Sequence, residues 1–333
     1  MATKTINVGL VGQKFMDKAH SNAYMTVAKC FDVEPRPVMK AICARDATEL
    51  APFAARFGWE SYETDWRKLV ARKDIDVIDI AAPSNVHRDI GVSAAEAGKH
   101  VFCEKPLAST LPLAREMLDA VRKAGVVHMV NFNYRCCPAL ALAQQMIRAG
   151  EIGEVVGMQK TFITERPAEG RSSGLSATAG EGTEKVTVDD ATLFLAKFAN
   201  GAFGSFEATR LAPGRKNYNR VEINGSKGSL VFCFEDMNVL EYYNCGDPAE
   251  RQGFRKIIAT EGGHPFVGPW WPPGHMLGYE HTFVHAVYEL MRAINGEPTI
   301  MPDFRDGAQC VAVLEAVEKS IVEGKWAKVE IVE

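Results

Sequence analysis

The sequence predicts an α/β fold. Its first half reads as a doubly wound, mostly parallel sheet, and its second half as an α+β domain with a mostly antiparallel sheet. Two observations predict it. Up to about residue 130, short β-rich apolar runs alternate with amphipathic stretches of helical length, the pattern of a parallel sheet covered by helices. Beyond about residue 150 the β-rich segments lengthen, and Asn200-Gly201 and Asn224-Gly225 separate them as hairpin-type turns.

Thr5–Val11 (TINVGLV) is a strand that stops at Gly12, and a helix over 15–30 follows it. The run 38–43 is the second strand, and Leu50, Phe53, Ala54 and Phe57 fall at helical spacing behind it. A short strand near 60–62 and a short helix over 66–71 come next. Residues 76–81 (DVIDIA) form a buried strand, 87–97 a helix, 100–103 a strand, 113–124 a helix and 129–132 the closing strand. In the second half, strands are expected over 187–198, 202–209, 220–223 and 229–232, and amphipathic helices over 280–294 and 306–323. The segment 168–184, rich in Gly, Ser, Ala and Thr, reads as a loop. The expected domains are 1–128 and 129–333.

With 333 residues, 47% of them hydrophobic, the chain has room for two cores of ordinary size. A net charge of -4 with dispersed Lys and Arg excludes a basic field for nucleic acid. The N-terminus has no apolar leader, and no apolar run approaches the roughly 18 residues that cross a bilayer. No membrane partner and a cytoplasmic location are therefore expected. The eight cysteines form no Cys-x-x-Cys pair, so reduced, packed thiols and no metal are expected.

The turn after the first strand reads Gly9-Leu10-Val11-Gly12-Gln13-Lys14-Phe15-Met16-Asp17. In a Rossmann-type fold this turn brings a dinucleotide pyrophosphate onto helix N–H groups, which is why Gly-x-Gly-x-x-Gly recurs there. Here only Gly12 of the three glycines stands. Lys14 holds the second position, where a lysine can pair with phosphate. Asp17 holds the third, where it crowds the helix–strand contact and adds negative charge. Gly12, Gln13, Lys14, Phe15 and Met16 are the candidate pyrophosphate contacts.

At the end of the second strand stand Ala44, Arg45 and Asp46. An acid there serves the ribose of NAD, and an arginine suits the 2′-phosphate of NADP. The cofactor is thus NAD or NADP, with Arg45 leaning towards NADP. Two polar loops follow consecutive strands: Ala82-Pro83-Ser84-Asn85-Val86-His87 and Cys103-Glu104-Lys105-Pro106. Strand C-termini are the ligand-binding edge of an open α/β sheet.

Taken in order, GLVGQKFMDKAHSNAY, APSNVH, AGKHVFCEKPLA and NFNYR, with the later INGSKGSLVF and GYEHTFVHAV, resemble the Gfo/Idh/MocA family of NAD(P)-dependent sugar and polyol oxidoreductases over nearly the whole chain. The resemblance implies that Lys105 lies beside the nicotinamide and the reacting carbon, with Glu104 and a cis-linked Pro106 shaping its loop. It implies cofactor contacts at Ala82, Pro83, Asn85, His87, Glu104 and Asn133, and cleft-facing side chains at Tyr134 and Arg135. It also implies a sugar or polyol substrate and a homo-oligomer.

The family's usual Asp-x-x-x-His helix, whose histidine is the lysine's proton-transfer partner, has no counterpart. Gly150-Glu151-Ile152-Gly153 runs directly into Glu154-Val155-Val156-Gly157, so the second domain is read as shortened near 150–157. His281 is the candidate catalytic replacement, with His20, His275 and His281 as candidate substrate contacts. His281 and His285 share a helix face, but without a third ligand no metal is expected. Two alternatives to a dehydrogenase remain at this level: a redox-neutral lyase or glycosidase, and a catalytically impaired dinucleotide- or sugar-binding protein.

Overall fold

The structure, a computed structural model, describes residues 4–12, 14–164 and 189–333. The chain divides into two compact units, Met1–Cys136 with Tyr279–Glu333, and Cys137–Gly278.

The first unit opens with β1 (Thr5–Val11), α1 (Phe15–Cys30), β2 (Arg36–Cys43), α2 (Ala47–Phe57), β3 (Ser61–Glu63) and α3 (Trp66–Ala71). It continues with β4 (Val77–Ile80), α4 (His87–Glu96), β5 (His100–Glu104), α5 (Leu111–Ala124) and β6 (His128–Asn131). All six strands pair in parallel, in the order β3-β2-β1-β4-β5-β6. The chain therefore winds outwards in both directions from the β1/β4 pair, and the C-terminal ends of those two strands form the crevice where such sheets take ligands. Helices on both faces explain why β4 is buried along its whole length and reads as a continuous run rather than an alternating one.

Local chemistry fixes the helix ends. Asp46 caps α2 by accepting from the N–H groups of Thr48 and Glu49, and Gly58 ends it in the left-handed region at φ 77°.

The second unit carries α6 (Pro138–Arg148), β7 (Val155–Thr164), β8 (Ala191–Lys197), β9 (Phe203–Thr209) and β10 (Asn217–Gly225). It ends with β11 (Gly228–Cys233), β12 (Val239–Asn244) and β13 (Arg255–Ile258). The sheet order is β13-β12-β11-β10-β7-β9-β8, with every pair antiparallel except β7 with β9. Residues 149–154 join α6 to β7 with no strand or helix between them. The expected loop over 168–184 lies outside the described residues.

The chain then returns to the first unit as α7 (Tyr279–Ile294) and α8 (Phe304–Glu323). The sequence division assigned both helices to the second domain. Their packing sends them to the first, because α7 lies along α1 and buries Phe283, Val284, Val287 and Leu290, and α8 lies along α5 and buries Phe304, Ala308 and Val311. No helix among the described residues is long and apolar enough to cross a membrane.

Candidate functional site

Gly12 closes β1 at φ 147°, and its N–H donates to the Cys43 carbonyl at 2.8 Å, joining the ends of β1 and β2. A Cβ on Gly12 would fall 1.8 Å from Asp17 Oδ1. Glycine is thus required here both by φ and by the neighbouring carboxyl. Lys14 and Phe15 are exposed and Met16 is half-buried at the start of α1, while Gln13 lies outside the described residues. Asp17 is buried. Its Oδ2 accepts the Lys14 N–H, and its Oδ1 has no hydrogen-bond partner among the described residues. Burial pushes the Asp17 carboxyl up to about 7, against the opposing pull of His20.

Behind this turn lies a buried polar chain. His20 Nδ1 meets Asp79 Oδ2 at 2.7 Å, and its Nε2 meets Glu104 Oε1 at 2.9 Å. Tyr24 donates its hydroxyl to Asp79 Oδ2 at 2.9 Å, and Asn131 Nδ2 donates to Glu104 Oε1 at 2.6 Å. Burial alone would pull the imidazole down. Asp79 and Glu104 outweigh it and hold His20 protonated, with its pKa pushed up to about 10. His20 is fully buried, which removes it from the substrate contacts expected from sequence and makes it the counter-ion of two carboxylates.

Glu104 ends β5, and its Oε2 accepts the backbone N–H of Lys105 at 3.2 Å. Lys105 itself is exposed, and no described residue engages its ammonium. The Lys105–Pro106 bond is cis, as expected. The second loop is fastened to this one by His87, whose Nδ1 lies 3.0 Å from the Pro106 carbonyl oxygen and whose Nε2 lies 2.8 Å from that of Ala82. Buried and occupied at both nitrogens, His87 clips the loops together rather than presenting a ring to a ligand, a correction to its expected role. Pro83 and Asn85 are exposed on the same loop, beside half-buried Ala82. At the end of β2, Ala44 is half-buried, and Arg45 and Asp46 are exposed.

Aromatic rings gather at the start of α7. Tyr279 stacks on Phe15 at 6.1 Å, meets Tyr134 edge-on at 6.4 Å and meets Phe283 at 5.1 Å. Burial foremost, then Tyr134 and Glu104, push the Tyr279 hydroxyl above its ordinary range. The edge-on contact holds Tyr134 beside Tyr279. Asn133, expected at the cofactor, is instead buried and donates to Thr282 Oγ1 at 2.7 Å, a tie between the turn after β6 and α7. Arg135 is exposed, with its guanidinium 6.0 Å from the Phe132 ring.

His281 sits in the first turn of α7, its side chain 14% exposed and its Nδ1 3.4 Å from Glu280 Oε1. His285 is buried beneath it, with Nδ1 on the Cys136 carbonyl oxygen at 2.9 Å, and burial pushes it down to about 3. His275 belongs to the second unit, exposed, with Nδ1 2.8 Å from the Pro272 carbonyl oxygen. Among the described residues no cluster of His, Cys, Asp and Glu could hold a metal ion.

Sequence reasoning missed Asp79, Tyr24, Asn131 and Tyr279. A signal existed for Asp79: an acid inside the otherwise apolar run Val77–Ile80 has to find a buried partner. Tyr279 carried none, since a tyrosine opening an amphipathic helix is ordinary.

This edge suits a dinucleotide. A glycine turn runs into a helix N-terminus, an acid caps α2 at the end of β2, and polar loops follow β4 and β5. Two family models match the chain: oxidoreductase family, NAD-binding Rossmann fold, over residues 6–132, and oxidoreductase family, C-terminal α/β domain, over residues 168–330. Levoglucosan dehydrogenase of Pseudarthrobacter phenanthrenivorans is 35% identical over 385 aligned positions that span 98% of this chain and 98% of that protein. The alignment is longer than the chain's 333 residues, so the relative has stretches without a counterpart here.

Among solved structures, levoglucosan dehydrogenase in complex with NADH superposes with a TM-score of 0.92 at 36% identity, covering 99% of this chain and 100% of that one. An oxidoreductase domain protein from Kribbella flavida superposes at 0.91 with 40% identity, covering 98% and 100%. Loop by loop and along its length, the chain belongs to the Gfo/Idh/MocA family of oxidoreductases, and its first unit is an NAD-binding Rossmann domain.

Proposed function

We propose that the protein is a dehydrogenase interconverting a hydroxyl and a ketone on a sugar, cyclitol or glycoside, with Lys105 as the residue at the reacting oxygen. The observation that carries this is the Lys105 ammonium, exposed and unengaged among the described residues, on a backbone whose neighbour Glu104 is clamped by a buried imidazolium. That combination gives a mobile donor on a fixed base, which is what positioning a hydroxyl requires.

Gly12, Gln13, Lys14, Phe15 and Met16 would hold the pyrophosphate, Ala44, Arg45 and Asp46 the adenosine ribose, and Ala82, Pro83 and Asn85 the nicotinamide half. NAD is favoured over NADP because Asp46 uses one oxygen to cap α2, which leaves the other for ribose hydroxyls and sets a negative charge against a 2′-phosphate. When bound, NAD supplies the hydride acceptor.

On the protein side, the Lys105 ammonium donates a hydrogen bond from Nζ to the reacting oxygen and steadies the negative charge that builds there as the hydroxyl proton leaves to a neutral base. The faces of Tyr134, Tyr279 and Phe15 offer apolar surface to the carbon-bound side of a sugar ring. No histidine stands between His128 and His264, in the stretch where the shortening is read. The proton-transfer role therefore falls to His281, in the same helical turn as Tyr279. Levoglucosan, the substrate named for the relative, is an anhydro-sugar, and ring-closed sugars of that kind are the class proposed.

A second copy of the chain would cover the open face of the second sheet. There Leu193 and Leu195 of β8 and Phe203 of β9 are 69%, 65% and 56% exposed, aligned on one face by the β8–β9 register.

The test is cofactor reduction over a panel of anhydro-sugars, pyranosides and cyclitols. Lys105→Met should lower kcat by roughly 10²–10⁴-fold, the range of general acid–base catalysis, with NADH affinity kept. A variant that turns over like the wild type would remove Lys105 from the chemistry.

A further inference from the structure

The third glycine position of the phosphate turn is filled by a carboxylic acid, and the structure shows how it is accommodated. Asp17 folds back under the turn against the α-carbon of Gly12 and takes the Lys14 N–H with Oδ2. That N–H is one of the donors that the first turn of a helix offers to an anion. Oδ1 is buried with no hydrogen-bond partner among the described residues.

The charged groups facing Asp17 are His20 on its own helix and Asp79 on β4, with Glu104 on β5 beyond His20 and the Tyr24 hydroxyl on Asp79. Lys14 and Lys18 of α1 are exposed. The cation that faces Asp17, His20, is already shared by Asp79 and Glu104. If Asp17 ionises, three buried carboxylates compete for a single imidazolium.

We propose that Asp17 makes dinucleotide binding proton-linked: the turn takes the cofactor with Asp17 as a neutral acid and releases it as Asp17 ionises. This rests on the assignment of the turn to NAD. Two effects act in the same direction. An ionised Asp17 puts negative charge directly behind the position of a pyrophosphate, and it grips the Lys14 N–H more tightly than a neutral acid does, withholding that donor from phosphate. The carboxyl's elevation to about 7 places the change within the neutral range. His20, held near 10, keeps its charge throughout it.

The experiment is calorimetric titration of the full chain with NADH at about pH 8, in two buffers of different ionisation enthalpy, with Kd followed from about pH 6 to pH 8.5. For the wild type, NADH binding should take up a substantial fraction of one proton at the alkaline end. The Kd should rise with pH by up to about tenfold per unit, the limit for one linked proton. In Asp17→Asn, which keeps an oxygen for the Lys14 N–H, proton uptake should vanish and binding at about pH 8 should tighten.

NADH binding by the wild type without proton uptake overturns the linkage, and so does an Asn variant with wild-type uptake. The wild-type arm decides even where the variant folds poorly. No NADH binding at any pH would instead refute the assignment of the turn to the cofactor, and the linkage with it.

Discussion

A carboxylate in the middle of a strand as apolar as β4 costs several kcal/mol to bury unless it is paired, and Asp79 is paired twice, by His20 and by Tyr24. The same imidazole reaches Glu104, the residue before Lys105. His20 is therefore a positioning residue: it connects the sheet interior to the loop that carries the proposed chemistry. Replacing it with asparagine leaves two buried carboxylates without a counter-ion, and His20→Asn should lose about 3–5 kcal/mol in urea unfolding near neutral pH.

The pH dependence has a definite sign. The folded imidazole titrates near 10 against 6.5 for an ordinary histidine. Its contribution is whole below about 6.5 and drains away as pH rises through about 10. Thermal scans of the wild type should show Tm falling across that interval, with a shallower fall in His20→Asn. Equal slopes would mean that another group controls alkaline stability.

Sequence reading placed His20 near the ligand edge but gave it the wrong task. Its partners stand far along the chain at positions 79 and 104, and local patterning holds no record of such pairings. Lys105, by contrast, was singled out by its neighbours in the chain, which carry the family resemblance, and its exposed place after β5 is a local feature that sequence can read.

At the scale of elements, the first unit was readable because its signals are local. The strand Thr5–Val11, the helix Phe15–Cys30 and the short helix Trp66–Ala71 fall where apolar periodicity sets them. In the second unit β12 (VLEYYN) and β13 (RKII) were missed. Both are short and polar enough to resemble loops, and sheet pairing rather than propensity makes them strands. The parallel β7–β9 pair inside an otherwise antiparallel sheet was equally hidden, since strand order is set by tertiary contacts.

Edge strand β8 exposes the leucines that a sheet edge normally avoids, the physical basis for placing a second copy there. Light scattering of Leu195→Glu combined with Phe203→Asp should report a smaller species than the wild type at equal concentration. An unchanged mass would take this face out of the assembly.

At the scale of the molecule, two cores rather than two consecutive domains organise the chain, and the C-terminal helices complete the first core after the second unit has been made. That return could not be read from the order of elements, because an amphipathic helix states which face it buries and not what covers it. The direct passage from α6 into β7 was visible in the sequence. It concentrates the proposed proton chemistry on the first unit, where Lys105 and His281 both reside.

The central claim is that this unit moves a hydride from a sugar carbon to NAD at Lys105. The measurement closest to it is mass spectrometry of the nicotinamide after incubation with ring-deuterated anhydro-sugars and pyranosides. The account predicts deuterium on the reduced cofactor with wild-type protein, and at least about a hundredfold less per unit time with Lys105→Met. Wild-type protein that binds NADH yet transfers no deuterium from any sugar in the panel would contradict it.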